Sequence, residues 1–315
     1  MNKGKSAIEN QCEKIFKHTR SGSYATRARY NASCQQFVQF VNEKFKMQNL
    51  RNLQDKHVAA YLQHRLEQGV ASKTLKNDLG AIRYMHDLVA NAKYALSDNR
   101  TLAKNYDLDF DHKKIGGDRA WTNEEYKAMK TLVSEMAATS KSFAGTAADV
   151  RDLLPVCRTM GLRIAEAVCM RRSQAEEALR TGVYKVGSEA KNGLHRSVPL
   201  STEVREVLLR RLPYIERGGR IFVPEGEKAH QVVNRVEKYL ERHRGRVETL
   251  EGQKQRMVDG VPNELTFHGL RYAYVQDRMY DEMSQGKTWE QAARVVTKEV
   301  GHSRTEIIKT YMGEK

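Results

Sequence analysis

The chain has 315 residues, 40% of them hydrophobic and 30% charged, which is enough for two domains with buried cores. Its 54 Lys and Arg outnumber 39 Asp and Glu, giving a net charge of +15 that is typical of nucleic-acid-binding proteins. No apolar run approaches membrane-spanning length, and residues 1–22 lack the apolar core of a signal peptide. We therefore expect a cytoplasmic protein, associated with the nucleoid when on DNA, with no membrane partner.

The positive charge is distributed over the whole chain. Residues 1–118 contain 20 Lys and Arg against 12 Asp and Glu, and residues 119–315 contain 34 against 27. Both parts are therefore basic, as expected if both contact one polyanion.

The first third of the chain predicts a small helical domain, because apolar residues recur at steps of three and four. Gly69 is expected to end one helix, and Ser72 is expected to cap the next. The three apolar stripes are Tyr30, Cys34, Phe37, Val38 and Val41; Val58, Tyr61, Leu62 and Leu66; and Leu75, Leu79, Ile82, Met85 and Val89.

The polar face of the third predicted helix contains candidate DNA ligands. Side chains near a helix N-terminus can bind phosphate with the help of the positive end of the helix. A solvated basic face explains the same residues equally well. The candidates are Lys73, Thr74, Lys76 and Arg83.

Residues 113–118 are the best candidate for a linker, because they combine adjacent glycines with charge. We therefore predict a helical domain over 1–112 and a second domain over 119–315. Residues 121–125 are expected to begin a capped helix of that second domain.

The second domain is predicted to be mostly helical, with one β-hairpin. Residues 183–186 and 197–200 flank a Lys-Asn-Gly turn signal at 191–193. Residues 241–262 are predicted to form a loop or a frayed helix. The last long helices are predicted over 268–283 and 288–300.

Five short motifs in this domain contain candidate catalytic residues. Each motif alone is a weak signal, but together they suit a protein that holds a phosphodiester while a phenol attacks it. Tyr311 follows His302 by nine residues. The motifs are Gly161-Leu162-Arg163-Ile164-Ala165-Glu166, Lys191-Asn192-Gly193, His268-Gly269-Leu270-Arg271, Gly301-His302 and Tyr311.

Phosphoryl transfer chemistry indicates a role for the arginines and the tyrosine. Charge develops on the phosphate oxygens in the transition state, and the planar fork of arginine holds two oxygens at once. Arg163 and Arg271 are the candidate clamp, with Glu166 placed to orient Arg163. Tyr311 is the candidate nucleophile, which needs a base because the reference pKa of tyrosine is about 10.

Three further side chains complete the candidate site. His268 is the candidate base, because histidine titrates near neutrality. His302 is expected to donate a hydrogen bond to the phosphate. Lys191 is the candidate acid that protonates the leaving 5′-oxygen, and Lys185 in the same predicted hairpin is the alternative.

The order and spacing of these motifs resemble the tyrosine recombinases, also called phage integrases, over residues 23–311. The resemblance implies a mainly α fold with a small antiparallel β-sheet. It implies a helical core-binding (SAM-like) domain and a mixed α/β catalytic domain that together form a C-shaped clamp on DNA. Arg163, Lys191, His268, Arg271, His302 and Tyr311 match the family's catalytic positions, and Arg196 is a further candidate DNA contact.

The resemblance also implies a function. It implies a site-specific recombinase that cuts and rejoins double-stranded DNA through a 3′-phosphotyrosyl intermediate and a Holliday junction. Integration or excision of a phage or mobile element is the implied role, within a homotetramer on DNA and with an accessory DNA-bending or directionality factor as a further partner. The alternatives are a type IB topoisomerase-like enzyme and an inactive DNA-binding protein on the same fold.

No cofactor is expected. The sequence lacks the clustered carboxylates that metal-dependent nucleases need, and it lacks a Walker phosphate-binding loop. We therefore expect neither a metal nor a nucleotide.

The chain departs from the family after the nucleophile. Only four residues follow Tyr311, where many members have a further helix that is exchanged between subunits. We therefore expect either that assembly uses the first domain and the helices before Tyr311, or that a natural tail follows this sequence. In both cases we expect a monomer in the absence of DNA and a Tyr311 segment that is mobile until DNA binds.

Overall fold

The computed structural model describes residues 5–19, 24–110, 116–139, 144–187, 189 and 193–313. The chain divides into two compact units, Met1–Lys114 and Ile115–Lys315. Within the described ranges, helices dominate and the strands form two small antiparallel pairs, which confirms the predicted fold class. None of the helices in these ranges has the length and apolar content needed to cross a membrane.

The first unit is a helical bundle around one apolar core. The predicted stripes supply this core: Phe37, Leu62 and Leu79 are among its fully buried residues. Ser72 is the first residue of its helix and not the cap, since Ala71 occupies the cap position without a side-chain bond. The helices described in this unit are α1 (Ala7–His18), α2 (Tyr24–Phe45), α3 (Asp55–Glu67), α4 (Ser72–Asp87) and α5 (Asn99–Tyr106).

The second unit packs helices around a core that includes Trp121, Leu153 and Leu270. The two predicted C-terminal helices are confirmed within one residue at each end. Its described helices are α6 (Asn123–Thr139), α7 (Ala144–Thr159), α8 (Ile164–Val168), α9 (Arg172–Thr181), α10 (Thr202–Arg211), α11 (Ala229–His243), α12 (Leu250–Gln255), α13 (Phe267–Ser284), α14 (Trp289–Glu299) and α15 (Ile307–Tyr311).

The predicted hairpin is confirmed as strands β1 (Val183–Val186) and β2 (Arg196–Pro199), which pair in antiparallel register with Val186 opposite Arg196. Tyr184 and Val198 are buried on one face, and Lys185 is exposed on the other. Because side chains alternate along a strand, Arg196 and Lys185 project to opposite faces.

The prediction for residues 241–262 is wrong. The segment contains the end of α11, then α12, then a second hairpin of β3 (Met257–Val258) and β4 (Val261–Pro262). Its polar character has a structural reason, because Arg256 is fully buried and forms a two-point ion pair with Glu125, at 2.6 and 2.8 Å.

Glu125 joins this segment to the start of α6. Its carboxylate also accepts the backbone N–H groups of Thr122, at 3.0 Å, and Thr249, at 3.1 Å. Burial alone would raise the pKa of Glu125, but the bonds from Arg256 and the backbone lower it. The pair therefore fixes the first residues of the second unit against α12.

This pair yields a stability prediction. Arg256→Met should lower the free energy of unfolding of the second unit by about 3–5 kcal/mol, because it leaves the Glu125 carboxylate buried without its partner. Both tryptophans, Trp121 and Trp289, lie in this unit, so their fluorescence during urea titration reports on it. Lys254→Met, at an exposed position of α12, is the control and should change stability by under about 0.5 kcal/mol. Equal effects of the two substitutions would contradict the argument.

Candidate active site

Five of the six predicted catalytic residues meet in the second unit. Arg163 is the residue before α8, and His268 and Arg271 lie on the first turn of α13. His302 lies in the turn after α14, and Tyr311 is the last residue of α15. The sixth, Lys191, lies outside the described residues.

The Tyr311 hydroxyl is the centre of this cluster. It accepts a hydrogen bond from Arg271 Nε at 3.1 Å and lies 3.2 Å from His302 Nε2. The ring packs against Tyr272, with centroids 4.6 Å apart, and the residue is only 4% exposed. Tyr311 is therefore packed within the second unit, and the mobility expected of its segment without DNA stays a prediction.

Arg271 is fully buried and held on three sides. Besides Tyr311, its guanidinium donates to the backbone carbonyls of Gly161 and Val300. Gly161 has φ +59°, and a Cβ there would lie 2.3 Å from the ring of Tyr274, so only glycine fits. Gly161, two residues before Arg163, thus supplies the carbonyl that accepts from Arg271.

Glu166 orients the other arginine of the predicted clamp. Its buried carboxylate accepts from Arg163 Nη1 at 2.9 Å and from the Arg163 backbone at 2.9 Å. It also accepts from Arg196 Nη2 at 2.6 Å. Burial alone would raise the pKa of Glu166, but the bonds and charges of Arg196 and Arg163 outweigh it and lower the pKa to about 2.

Arg196 has a different environment from the one predicted. Its side chain is almost fully buried, bonded to Glu166 and, through Nε, to the Glu299 carbonyl at 2.8 Å. These contacts orient Glu166 and use all three nitrogens of the Arg196 guanidinium. The alternation along β2 was the signal available in the sequence, since it places Arg196 on the same face as Val198.

His302 links Tyr311 to Arg163. Its Nε2 lies 3.4 Å from Arg163 Nη2 as well as 3.2 Å from the tyrosine hydroxyl. Arginine can only donate, so an unprotonated Nε2 fits this geometry and is then placed to accept from the hydroxyl as well.

His268 is exposed to solvent and lies among positive charges. Desolvation by the surrounding protein and the charges of Arg271, Arg119 and Arg163 lower the pKa of His268 to about 4. The imidazole is therefore neutral at neutral pH. Its ring centroid lies 6.1 Å from that of Tyr311, against 5.8 Å for His302, and of these two imidazoles only His302 lies within hydrogen-bonding distance of the tyrosine hydroxyl.

A glutamine that no motif indicated holds the tyrosine backbone. Gln276 Nε2 donates to the Tyr311 carbonyl and to Asp118 Oδ1, both at 2.9 Å. Asp118 lies at the start of the second unit, so this bridge joins α15 to that segment through α13. Nothing in the spacing of Gln276 in the sequence distinguishes it from other polar residues of α13.

The alternation of β1 places Lys185, the alternative candidate for the acid, on the exposed face of the hairpin. Lys185 is exposed and pairs with Glu177 at 2.6 Å, on the face of the hairpin opposite to Arg196. This position disfavours it as the leaving-group acid.

The DNA candidates in the first unit divide into two kinds. Lys73 and Thr74 are exposed at the start of α4, and Lys76 is partly exposed. Arg83 instead donates to the Ser97 carbonyl at 2.7 and 3.0 Å and to a side chain of the next helix. Arg83 therefore ties α4 to the segment before α5.

Comparisons with known proteins agree with this architecture. Residues 6–95 match the family model described as phage integrase, N-terminal. No curated protein sequence matches the chain. Solved structures similar to it include the Tn1549 transposon integrase in complex with transposon right end DNA, at 12% identity and TM-score 0.61, covering 97% of this chain and 94% of that one.

Two further solved structures have the same fold. The Tn1549 integrase in complex with a circular intermediate DNA is 15% identical, with TM-score 0.61 and coverage of 98% and 95%. The XerH site-specific recombinase bound to a palindromic difH substrate is 16% identical, with TM-score 0.59 and coverage of 96% and 80%. Together with the family match, these likenesses confirm the predicted resemblance to the tyrosine recombinases and phage integrases.

The Glu166 network yields a pH prediction. The pKa of Glu166 in the folded chain is about 2, below the unfolded value of about 4.3, so its ionised form stabilises the fold above pH ~4.3. This contribution, about 3 kcal/mol, should be lost as pH falls from about 4 to 2. At pH 7, Glu166→Gln should therefore unfold at a lower urea concentration than the parent. The difference between the two urea midpoints should become smaller as the pH falls toward 2.

The matched control for this prediction is Glu176→Gln, which removes an exposed carboxylate paired with Arg172 on α9. It should leave the urea midpoint nearly unchanged at both pH values. A stability gap for Glu166→Gln that stays constant from pH 7 to pH 3 would show that the carboxyl is not held ionised by its arginines.

Proposed function

We propose that this chain is a site-specific DNA recombinase in which Tyr311 attacks a DNA phosphodiester. The observation that carries the proposal is the position of the Tyr311 hydroxyl, within 3.2 Å of both Arg271 Nε and His302 Nε2 of the same chain. A phenol that is buried only for packing needs one hydrogen-bond partner. The Tyr311 hydroxyl has two, the Arg271 guanidinium and the His302 imidazole.

The reaction forms a bond from the Tyr311 oxygen to phosphorus and breaks the bond from phosphorus to the 5′-oxygen. The tyrosine proton must pass to a base. His268, the predicted base, is neutral because its pKa is about 4, but His302 lies closer to the hydroxyl. On distance, His302 Nε2 is the better acceptor, and His268 remains a second neutral imidazole in the site.

The developing charge on the phosphate is met by two arginines. Arg163 is oriented by Glu166, and Arg271 is fixed by the Gly161 and Val300 carbonyls. Donors that are held before the substrate arrives need no reorganisation during the reaction, which is the main source of electrostatic catalysis. Because the tyrosine hydroxyl already occupies Arg271 Nε, it has to leave or share this donor when a phosphate oxygen binds.

The proposed partner is double-stranded DNA. The similar solved structures contain those integrases and that recombinase in complex with DNA. Here both parts of the sequence are basic, and the first unit matches an integrase N-terminal domain. We propose that the product of attack is a 3′-phosphotyrosyl intermediate, resolved by strand exchange through a Holliday junction in a tetramer on DNA.

An integrase-like first unit favours recombination, during integration or excision of a phage or mobile element, over simple relaxation of DNA. Incubation with a supercoiled plasmid separates these functions. A topoisomerase-like enzyme relaxes any such plasmid, whereas a site-specific recombinase acts on plasmids that contain its site.

The nucleophile gives the direct test. Tyr311→Phe should bind DNA like the parent but form no covalent adduct, because the attacking oxygen is absent. The measurement is protease-sensitive retention of labelled, nicked duplexes of randomised sequence on a denaturing gel. Tyr272→Phe, which removes the hydroxyl of the neighbouring ring, is the control and should still form the adduct. An adduct with Tyr311→Phe would exclude Tyr311 as nucleophile.

The leaving group gives a second test. Lys191→Ala should cleave ordinary DNA slowly, yet recover on DNA whose 5′-bridging oxygen is replaced by sulfur, because a thiolate leaves without a proton. The size of this loss should fall in the range of about 10²–10⁴-fold for general acid catalysis.

Lys185→Ala is the matched control, since Lys185 lies in β1 of the same hairpin and pairs with Glu177. It should cleave both substrates at near the parent rate. Recovery by Lys185→Ala instead of Lys191→Ala would move the acid to Lys185.

A further inference from the structure

Residues 116–121 lead into the second unit across the first turn of α13. The Arg119 carbonyl would lie 2.4 Å from a Cβ built on Gly269, so the backbone packs directly on the helix there. Trp121 Nε1 donates to the Thr266 carbonyl at 2.9 Å and fixes the same crossing. Arg119 is therefore held beside His268, the residue that precedes Gly269.

The Arg119 charge acts on the wall of the candidate active site. It contributes to lowering the pKa of His268, after desolvation and Arg271, and it opposes the rise that burial gives to the pKa of Tyr272. The rings of His268 and Tyr272 lie 5.4 Å apart, and Tyr272 packs on Tyr311. The Arg119 charge therefore acts on the two side chains, His268 and Tyr272, whose rings lie 6.1 and 4.6 Å from the ring of Tyr311.

Arg119 lacks the partners that the neighbouring arginines have. Its Nε is buried without a hydrogen-bond partner, and its guanidinium makes no ion pair with any described residue. Arg163 and Arg196 share Glu166, and Arg271 donates to two carbonyls.

Three other arginines also have a buried Nε without a partner, but each still pairs with a carboxylate through another nitrogen. These pairs are Arg65 with Asp78, Arg158 with Asp277, and Arg235 with Asp149. A partly buried cation without a partner costs free energy, and an anionic ligand removes that cost.

We propose that Arg119 binds a phosphate of the DNA strand that Tyr311 attacks, as a third arginine of this site. The proposal rests on the proposed function for the identity of the strand. The ligand chemistry is a phosphodiester oxygen, which accepts from the guanidinium N–H groups. In this role Arg119 extends the clamp of Arg163 and Arg271 toward the segment that enters the second unit.

The test measures binding of the full chain to sonicated double-stranded DNA as a function of salt, in the Tyr311→Phe background so that no cleavage occurs. Each phosphate contact contributes about −0.9 to the slope of log K against log salt. Arg119→Gln should make the slope shallower by about 0.9, and Arg119→Lys, which keeps the charge, should retain the parent slope.

Arg217→Gln is the matched control, because Arg217 is exposed in the loop after residue 214 and the same charge is removed. It should leave the slope unchanged. An unchanged slope for Arg119→Gln, or an equal loss in both variants, overturns the proposal. This readout needs no cleavage, so it decides the role of Arg119 even if the parent chain forms no covalent adduct.

Stability provides an independent readout. An arginine that serves the ligand contributes little to the fold, so Arg119→Gln should unfold at the same or higher urea concentration than the parent, measured by tryptophan fluorescence without DNA. A clear fall in that midpoint would make Arg119 a structural residue and overturn the proposal. If Arg119→Gln does not fold, that outcome counts as such a fall, and Arg119→Met is measured to exclude an effect of the amide.

Discussion

The site depends on one buried carboxylate. Glu166 accepts from the side chain and backbone of Arg163, which precede α8, and from Arg196 on β2. Arg196 in turn donates to the Glu299 carbonyl at the end of α14, close to His302. A single ionised group therefore joins a helix start, a strand and a helix end. Removing the Glu166 carboxylate would leave Arg163 and Arg196 partly buried without their anion. The positions of Arg163 and His302 therefore depend on Glu166.

A second set of contacts, made by α13, fixes Tyr311, the proposed nucleophile. Arg271 reaches its hydroxyl, and Gln276, on the same helix, reaches its carbonyl and Asp118. α15 has only five residues, too few to be stable as an isolated helix, so these bonds and the packing of Tyr311 supply its order. The first turn of α13, which also contains Arg271, packs against the Arg119 backbone. The segment that enters the second unit therefore contacts α13 twice, at Gly269 through Arg119 and at Gln276 through Asp118.

The sequence predicted those parts of the structure that local patterns encode. Apolar stripes gave the helices of the first unit, turn chemistry gave the β1–β2 hairpin, and short motifs indicated which residues converge on Tyr311. It did not predict the structure of 241–262, because Arg256 is explained only by Glu125, 131 residues earlier. The role of Gln276 was missed for the same reason, whereas the alternation along β2 did indicate the inward direction of Arg196. Polar residues acquire their roles from partners distant in sequence, and no periodicity records such pairs.

The position of Tyr311 also constrains how a phosphate is accepted. The two carbonyl bonds of Arg271 involve no atom of the tyrosine, so the guanidinium stays in place when the hydroxyl leaves Nε. The movement required is then limited to the tyrosine side chain and the short α15, while His302 remains tied to Arg163. Arg271 would therefore keep its position while a phosphate oxygen replaces the Tyr311 hydroxyl as the acceptor of the Nε–H group. Under the proposed function, the hydroxyl therefore starts beside the position where a phosphate oxygen would bind, and in-line attack would need a small displacement instead of a refolded segment.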